Sequence, residues 1–303
     1  MAYVNSRRLS KHAPSGVGLL FFCLLPLAAR IHLQDSALPE SGSTLFARVI
    51  ANQQKNEVLL DQYERVQRIE RRRPGVGDPV ETKFWRLFPV GTGVEKIPLS
   101  LDGKPEDSES YRSDIEKLEK YLAWVASDGA PQKEAYAKAE RKRKERFDLI
   151  EATNQAFRFT FEGKEMRGDR QMLRYSMTPN PDYRPTSRNT TLFTKVRGTI
   201  WVDELSSQLA KVQGSITEDV SLALFLAIVF KGSQFMQERY EIAPGVWEPT
   251  FEQFDFDGRK FISSFSIHER TFYSDYKRVG PPKEAQEVVR AELSKLQAAQ
   301  PSR

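Results

Sequence analysis

Apolar and polar residues alternate through the middle and C-terminal parts of the chain. In AFRFTFEGK the residues Phe157, Phe159 and Phe161 alternate with polar side chains, and GDRQMLRYSM repeats the pattern with Leu173 and Tyr175. A period of two is typical of β-strands with one buried face. The polar connection between the two segments contains two glycines, which favours an antiparallel pair. The pattern therefore predicts a sheet with one apolar face.

Further alternating segments lie on both sides of this pair. LFTKVRGTIWVDE and SQLAKVQGSI predict the next two strands, and the segment from Trp247 to Tyr273 predicts a hairpin that turns at Asp257-Gly258. Nearer the N-terminus, EVLLDQYERVQRIERRR and ETKFWRLFPV predict another hairpin. No strand–helix–strand unit repeats along the chain, so we expect an antiparallel sheet rather than a parallel one.

Three segments have the spacing of helices. STLFARVIANQQ places its apolar residues on one stripe, with Ser43 as the N-cap. Residues 106–155 predict a helical insert of two helices, the first with apolar residues at steps of three and four from Ile115 to Val125. The polar C-terminal tail, residues 281–303, has a weaker helical pattern, and we expect a short helix there that frays.

The most apolar segment after the N-terminus is LALFLAIVF, residues 222–230. It is too short to span a bilayer as a helix, which needs about 20 residues. A strand buried on both faces fits its length, but the alanines at 223 and 227 are poor strand formers. Lys231 and Gly232 have the composition of a helix end. We therefore predict a short helix that is apolar all round and lies against the apolar face of the sheet.

The N-terminus has the composition of a secretory signal peptide. A region with three basic residues precedes the apolar segment 16–29, which is short for a bilayer span and ends in small residues. We expect residues 1–29 to be a signal peptide and residues 30–42 to be a linker. The alternative is an uncleaved N-terminal helix that anchors the protein in a membrane.

The net charge of +5 arises mostly from that N-terminal region. Of the 46 Lys and Arg residues, three precede residue 30, where no acidic residue occurs, which leaves 43 basic against 41 acidic residues in the rest of the chain. A balance this even gives no reason to expect nucleic-acid binding. Cys23 is the only cysteine, so no disulfide can form within the chain.

Residues of the types used in catalysis are few and form no known motif. His268 lies on a predicted strand beside Glu269, where a solvated or edge-strand histidine is a more common interpretation than acid–base chemistry. No GxSxG, HExxH, CxxC or EF-hand pattern occurs. We therefore expect no catalytic residue, no metal site, no cofactor and no enzymatic activity.

The segment KVRGTIWVDELSSQLAKVQGSI, with KGSQFMQERYEIAPGVWEPTFEQFDFDGR after it, resembles exported bacterial proteins of the LolA/LolB-like, outer-membrane lipoprotein-sorting family. The positions that carry the resemblance are Gly198, Trp201, Asp203, Gly232, Trp247 and Pro249. The resemblance implies an unclosed antiparallel β-barrel, that is, a half-barrel wrapped on short helices. It also implies an apolar cavity for lipid or acyl chains and a location in the periplasm or at the outer membrane.

Together these expectations describe an α+β domain over residues 43–280 that contains the helical insert. We expect a non-enzymatic carrier that holds a lipid or a lipoprotein acyl chain in an apolar cavity. The alternative is an envelope protein-interaction or stress-sensing module of the same fold. The predicted cavity-lining residues are apolar or aromatic and lie on the predicted strands and short helix: Phe159, Phe161, Leu173, Tyr175, Trp201, Leu224, Phe225, Ile228, Trp247, Phe254, Phe265 and Ile267.

A basic segment, KAERKRKER at residues 138–146, lies in the second helix of the insert and contains six basic and two acidic residues. A solvent-exposed helix pair is the interpretation we favour. The alternative is a surface that contacts lipid head groups or an envelope protein. Its basic residues are Lys138, Arg141, Lys142, Arg143, Lys144 and Arg146.

Overall fold

All the strands that the structure describes belong to one sheet. The computed structural model describes residues 42–73, 77–101, 104–222, 227–261 and 263–298. Thirteen strands lie in these ranges. They are β1 (Tyr63–Arg71), β2 (Glu81–Pro89), β3 (Val94–Leu101), β4 (Lys104–Pro105), β5 (Phe157–Arg167), β6 (Arg170–Pro179), β7 (Val196–Asp203), β8 (Leu209–Ile216), β9 (Val220–Leu222), β10 (Ala227–Val229), β11 (Gln234–Ala243), β12 (Val246–Lys260) and β13 (Ser263–Arg278).

The sheet is open, with an edge on each side. Its main path runs in the order β4-β3-β2-β1-β13-β12-β11-β8-β7-β6-β5, and neighbouring strands are antiparallel. The short strands β9 and β10 pair with each other, and β10 pairs with β12 beyond the end of β11. The prediction of an unclosed antiparallel barrel is confirmed in the part of the chain that the structure describes.

The sheet wraps around α1. The inner face of the sheet is defined here as the face that carries Phe159, Ile200 and Phe254, and these side chains are buried in one cluster with Phe46 and Val49 of α1. The five α-helices of the described ranges are α1 (Gly42–Leu59), α2 (Ser108–Ala126), α3 (Ala130–Ala156), α4 (Arg188–Thr191) and α5 (Pro282–Ala298). Helix α1 thus has the position that the sequence pattern gave to residues 222–230.

A second helical layer covers the outer face at the β2–β3 end of the sheet. Phe88 on β2 and Ile97 on β3 form a buried cluster with Ile115 of α2 and Val289 of α5. The register pairs Arg86 with Ile97, so Arg86 lies on the same face, while Leu87 points to the inner face. One sheet therefore separates two helical layers, α1 on the inner side and α2 with α5 on the outer side.

Three helices differ from their sequence patterns. Helix α1 continues to Leu59, through residues that the sequence assigned to a strand. Helix α5 is longer than the short helix that the pattern predicts, and Ala285 and Val289 are fully buried one turn apart against α2. Helix α3 of the predicted insert is not a solvated helix throughout, since Ile150 packs on Ile50 of α1.

The prediction of a helix over residues 222–230 is wrong. Residues 227–229 form β10, and Leu222 ends β9. Ile228 pairs with Arg259 on one side and with Ser221 on the other, so the backbone of this segment is bonded in the sheet. Two β-branched residues, Ile228 and Val229, outweigh the alanines once β12 offers a free edge. Residues 223–226 lie outside the described ranges.

The hairpin turn predicted at Asp257-Gly258 lies instead at Phe261, whose φ is 55°. Strand β12 runs through Gly258, which pairs with Phe265 of β13. A Cβ at Gly258 would lie 2.3 Å from the carbonyl oxygen of Ile228 and 2.5 Å from the Phe265 ring. This glycine is needed for close backbone approach rather than for a turn, and the sequence pattern does not distinguish these two uses.

Candidate ligand site

A row of aromatic rings connects α1 with the edge of the sheet. Phe46 of α1 stacks on Phe159 with ring centroids 4.7 Å apart, and it meets the edge of Tyr175 at 4.9 Å. Tyr175 in turn contacts Phe161 at 5.4 Å. Phe46 is buried, whereas Phe161 on the edge strand β5 is 40% exposed. The row therefore extends from the buried side of α1 to a partly exposed ring at the edge of the sheet. An apolar binding site needs such an exposed end.

Half of the twelve predicted lining residues lie on this apolar part of the inner face. Four of them belong to the buried cluster that includes α1, and two more are partly buried and pack against it. These six are Phe159, Leu173, Tyr175, Phe254, Phe265 and Ile267. Ile228 is half-buried on β10. The structure places no side chain for Leu224 and Phe225, which lie outside the described ranges. That any of these residues contacts a ligand stays a prediction.

The two predicted tryptophans lie elsewhere. Trp201 points away from the inner face, between the inward Ile200 and Val202 of β7. It forms a separate buried cluster with Trp247, and neither indole N–H has a hydrogen-bond partner among the described residues. An arginine guanidinium lies over the ring of Trp247 and a lysine ammonium over that of Trp201. Both tryptophans are therefore packing residues apart from the aromatic row.

Gly198, another position that carries the resemblance, lies where two strands approach each other closely. It lies opposite Gly214 in the β7–β8 register. A Cβ at Gly198 would lie 2.1 Å from the carbonyl oxygen of Gln213. The absence of a side chain at this position lets two strands approach closely where the sheet bends over α1.

A polar centre lies next to the apolar part of the inner face. Arg239 on β11 is 2% exposed, and its Nε donates to Gln237 Oε1 at 2.9 Å. Its two terminal nitrogens lie 2.9 and 3.2 Å from the amide oxygen of Gln53, in the amide orientation that satisfies both residues. Gln53 belongs to α1, one turn after Val49. Arg239 thus connects the sheet to the helix through neutral amides.

Two glutamates of β12 complete this polar centre. Glu252 accepts hydrogen bonds from Gln237 Nε2 at 2.9 Å and from the Tyr273 hydroxyl at 3.1 Å. Glu248 is 1% exposed, and its Oε1 has no hydrogen-bond partner among the described residues. Two side chains of β12 therefore hold carboxyl groups in an environment with little water.

Burial governs the ionisation of both glutamates. It raises the pKa of Glu248 to about 8, which the charge of Arg239 only partly offsets. It raises the pKa of Glu252 to about 7, against the hydrogen bonds from Gln237 and Tyr273. The pKa of Tyr273 is also raised, first by burial and then by the nearby charge of Glu252. Near neutral pH the charges of Arg239 and Arg65 therefore act on two carboxyl groups that are close to their titration points.

Sequence reasoning missed the polar centre, although a signal for it exists. Glu252 lies two residues before Phe254, so the alternation that puts Phe254 on the inner face puts Glu252 there as well. Gln237 and Arg239 follow Phe235 in the same way on β11. Polar residues that continue the inward register of an apolar strand are the pattern to look for.

Asp255, His268 and Ser266 on the outer face are the residue types of a catalytic triad, but their hydrogen bonds follow a different pattern. His268 Nδ1 lies 3.0 Å from Asp255 Oδ1, and His268 Nε2 lies 2.8 Å from Ser266 Oγ. The Ser266 hydroxyl, however, donates its proton to Asp257 at 2.5 Å, and not to His268 as the serine of a catalytic triad would. Arg270 holds both oxygens of Asp255. The contact is a network of surface ion pairs and hydrogen bonds.

Two further observations limit the chemistry of the described residues. No group of three or more His, Cys, Asp or Glu side chains within them is placed to hold a metal ion. No helix among those described is both long and apolar enough for a bilayer span. Residues 1–29, predicted as a signal peptide, lie outside the described ranges.

The structure divides the basic segment of α3 into two groups. Arg143 pairs with Asp61 at 2.5 Å and Arg146 pairs with Glu57 at 3.3 Å, which ties α3 to the end of α1. Lys144 pairs with an acid one turn further along its own helix. The exposed basic residues with no ion pair in the described part of the chain are Lys138, Arg141 and Lys142.

Comparison with known proteins gives a fold-level similarity. No family model matches the chain, and no curated protein does. A putative outer membrane lipoprotein-sorting protein domain from Vibrio parahaemolyticus covers 80% of this chain and 98% of its own, at 9% identity and a TM-score of 0.32. A LolA superfamily protein from Nitrosomonas europaea covers 81% and 97%, at 11% identity and a TM-score of 0.28.

A DUF1329 family protein from Desulfovibrio piger covers 76% of this chain and 93% of its own, at 12% identity and a TM-score of 0.24. Identities and scores this low leave the function to be decided by the residues of the inner face.

Proposed function

We propose that the protein binds the hydrocarbon chain of a lipid or lipoprotein on its inner face and carries it without chemical change. The observation that supports this is the aromatic row, which is covered by one helix at one end and open to solvent at Phe161. In this proposal a ligand chain enters at β5 and lies against the side chains of the aromatic row. In this proposal Phe46, Leu45 and Val49 of α1 occupy the space that the ligand chain takes.

The energetics of exchange favour long chains. Each methylene buried contributes about 0.8 kcal/mol, so a chain of about 14 methylenes gains roughly 11 kcal/mol. Exposing three side chains of the size of leucine and phenylalanine costs roughly 5–9 kcal/mol. A chain shorter than about ten methylenes therefore fails to displace α1, and a longer one succeeds.

Titration with uncharged monoacylglycerols of increasing chain length tests the proposal. Binding is measured by calorimetry on the purified protein and is expected only above about ten methylenes. Phe161→Ser should weaken binding without changing the melting temperature, because this ring is already exposed. Met166→Ser is the matched control, since Met166 is exposed on the same edge strand but lies outside the aromatic row.

Two results together would end the carrier proposal. One is the absence of binding at every chain length. The other is native mass spectrometry of the protein isolated from cells that shows no co-purifying lipid. Export by the predicted signal peptide belongs to the same proposal, and N-terminal sequencing of the isolated protein tests it by locating the mature end.

The exposed group on α3 supports a second candidate, contact with an acidic envelope protein. Its three members, Lys138, Arg141 and Lys142, face solvent without an ion pair in the described ranges. Changing all three to serine should abolish capture of such a partner and leave lipid binding intact. Deleting residues 106–155 is not a clean test, because it removes Ile115 and Ile150 from two buried clusters.

A further inference from the structure

Arg239 is a buried cation without a carboxylate partner. Among the described residues its hydrogen-bond acceptors are the amide oxygens of Gln53 and Gln237. Neither Glu248 nor Glu252 forms an ion pair with it. A buried guanidinium is ordinarily paired with an anion, because isolated burial of a charge costs several kcal/mol. Arg239 therefore retains an unfilled preference for an anion.

The position of Arg239 relates this preference to the apolar site. Gln237 and Arg239 continue the inward register of Phe235, and Phe235 belongs to the apolar cluster beneath α1. Gln53, which covers Arg239, lies one helical turn after Val49, which covers the apolar part. The same helix therefore covers both parts, and movement of α1 exposes the cation together with the aromatic row.

We propose that Arg239 receives the anionic head group of a single amphiphile whose chain lies on the aromatic row, with the anion taking the place of Gln53. This inference rests on the proposed carrier function and adds the class of ligand. Arg239 presents a planar fork of N–H donors, which matches the paired oxygens of a carboxylate or a phosphate. Glu248 and the Tyr273 hydroxyl surround the same space from β12 and β13.

The unpartnered oxygen of Glu248 favours the same kind of ligand. Burial raises the pKa of this carboxyl to about 8, so below that pH it is a neutral acid with a proton to donate. A neutral acid beside Arg239 stabilises an anion, whereas an ionised one repels it. The charged and titratable groups that act on Glu248 and Glu252 are Arg239, Glu57, Asp61, Arg65, Tyr273 and Tyr276.

The test compares head groups on one chain length. Tetradecanoate and tetradecyl phosphate are titrated against uncharged monomyristin at pH 7.5, and the two anions also separate a fatty acid from a phosphate as the source. Binding of at least one anion should be about tenfold tighter than that of monomyristin, the size of a charge-assisted hydrogen bond. Arg239→Met should remove this ratio while monomyristin still binds.

A control arginine keeps the variant interpretable. Arg170 pairs with Asp203 and Glu241 beside the Trp247 ring, outside the apolar cluster. Arg170→Met should leave the ratio between anion and monomyristin unchanged. If Arg239→Met fails to fold, the comparison of head groups on the unaltered protein still shows whether an anionic head group is preferred.

The pH dependence gives an independent readout. Tetradecyl sulfonate keeps its charge over the range used, so any change comes from the protein. Its affinity should fall from pH 6 to pH 9, as Glu252 and then Glu248 lose their protons and pair electrostatically with Arg239. Equal affinity for anions and monomyristin overturns the head-group inference alone, and failure of all these ligands to bind overturns it together with the carrier proposal.

Discussion

Arg86, which is half-buried, and Arg239, which is buried, lie on the same sheet with opposite surroundings. Arg86, on the outer face, lies 2.6 Å from Glu64 and 2.8 Å from Glu292, and it also donates to the Tyr111 hydroxyl. Arg239, on the inner face, contacts only neutral amides among the described residues. The two layers of helices are therefore attached to the sheet by different physical means.

The difference separates a permanent attachment from an exchangeable one. Burial by itself would lower the pKa of Arg86, but the charges of Glu64, Tyr111 and Glu292 outweigh burial and raise it. Tyr111 is buried as well, and its pKa rises to about 12. Arg86 joins α2, α5 and β1 in one charged network, so the outer layer is fixed. In the head-group proposal a ligand anion takes the place of the Gln53 amide at Arg239, and the inner layer would then be released.

Removal of each arginine should give the largest contrast. Arg86→Met leaves the carboxylates of Glu64 and Glu292 without their cation, and we expect a loss of about 3–5 kcal/mol in the free energy of unfolding. Arg239→Met leaves only amide oxygens without their hydrogen-bond donor, and we expect the free energy of unfolding to fall by less than about 2 kcal/mol. Urea denaturation of both variants measures the difference. Equal losses would show that Arg239 is as firmly paired as Arg86.

Giving Arg239 a carboxylate partner should make the two sites alike. Gln53→Glu places an anion on α1 against the guanidinium, and a hydrogen bond to a charged group stabilises by about 1.5–3 kcal/mol. We expect a gain of this order at pH 8, together with weaker binding of anionic amphiphiles. Gln297→Glu, at an exposed position of α5, controls for the change in net charge. A loss of stability in Gln53→Glu would contradict this account.

Stability should depend on pH through the inner layer. Glu248 has a pKa of about 8 in the folded state against about 4.5 when unfolded, so between these values the folded state binds the extra proton. Its contribution to stability is complete below about pH 4.5 and is lost as the pH rises towards 8. The slope is on the order of 1 kcal/mol per pH unit. Glu248→Gln should flatten the decline, which thermal melts between pH 5 and pH 9 would show.

The smallest effects should come from the basic surface of α3. Arg143→Ala breaks the pair with Asp61, which is partly buried, and should cost about 1 kcal/mol. Lys142→Ala removes an exposed side chain and should change stability by less than about 0.5 kcal/mol. A cost for Lys142→Ala as large as that for Arg143→Ala would mean that α3 is held by charges that face solvent.

The alternation of apolar residues was enough to predict the sheet. Pairs such as β5 with β6 and β7 with β8 follow from a period of two that is read over short distances. The prediction put the helix on the inner face at residues 222–230, because this segment is more apolar than α1, which lies there in the structure. Burial of α1 depends on Leu45, Phe46 and Val49 meeting partners more than a hundred residues later, and a local window does not show this.

Part of the candidate site could also be predicted from the alternation of apolar residues. The alternation of apolar and polar residues within each strand predicts the burial of Phe159, Leu173, Tyr175 and Phe254. Arg239, Glu248 and Glu252 do not, since a charged residue on a strand is ordinarily taken to face water. Pairing between distant strands fixes the register of these charged residues relative to the neighbouring aromatic residues. This register places them on the inner side of the sheet.

The pairing of β1 with β13 has a consequence for biogenesis. Gln62, just before β1, accepts a hydrogen bond from Arg278, 216 positions later. Closing a loop of that length is entropically costly and slow. During synthesis β1 can therefore pair with β2 early, but it has no second neighbour until β13 has left the ribosome.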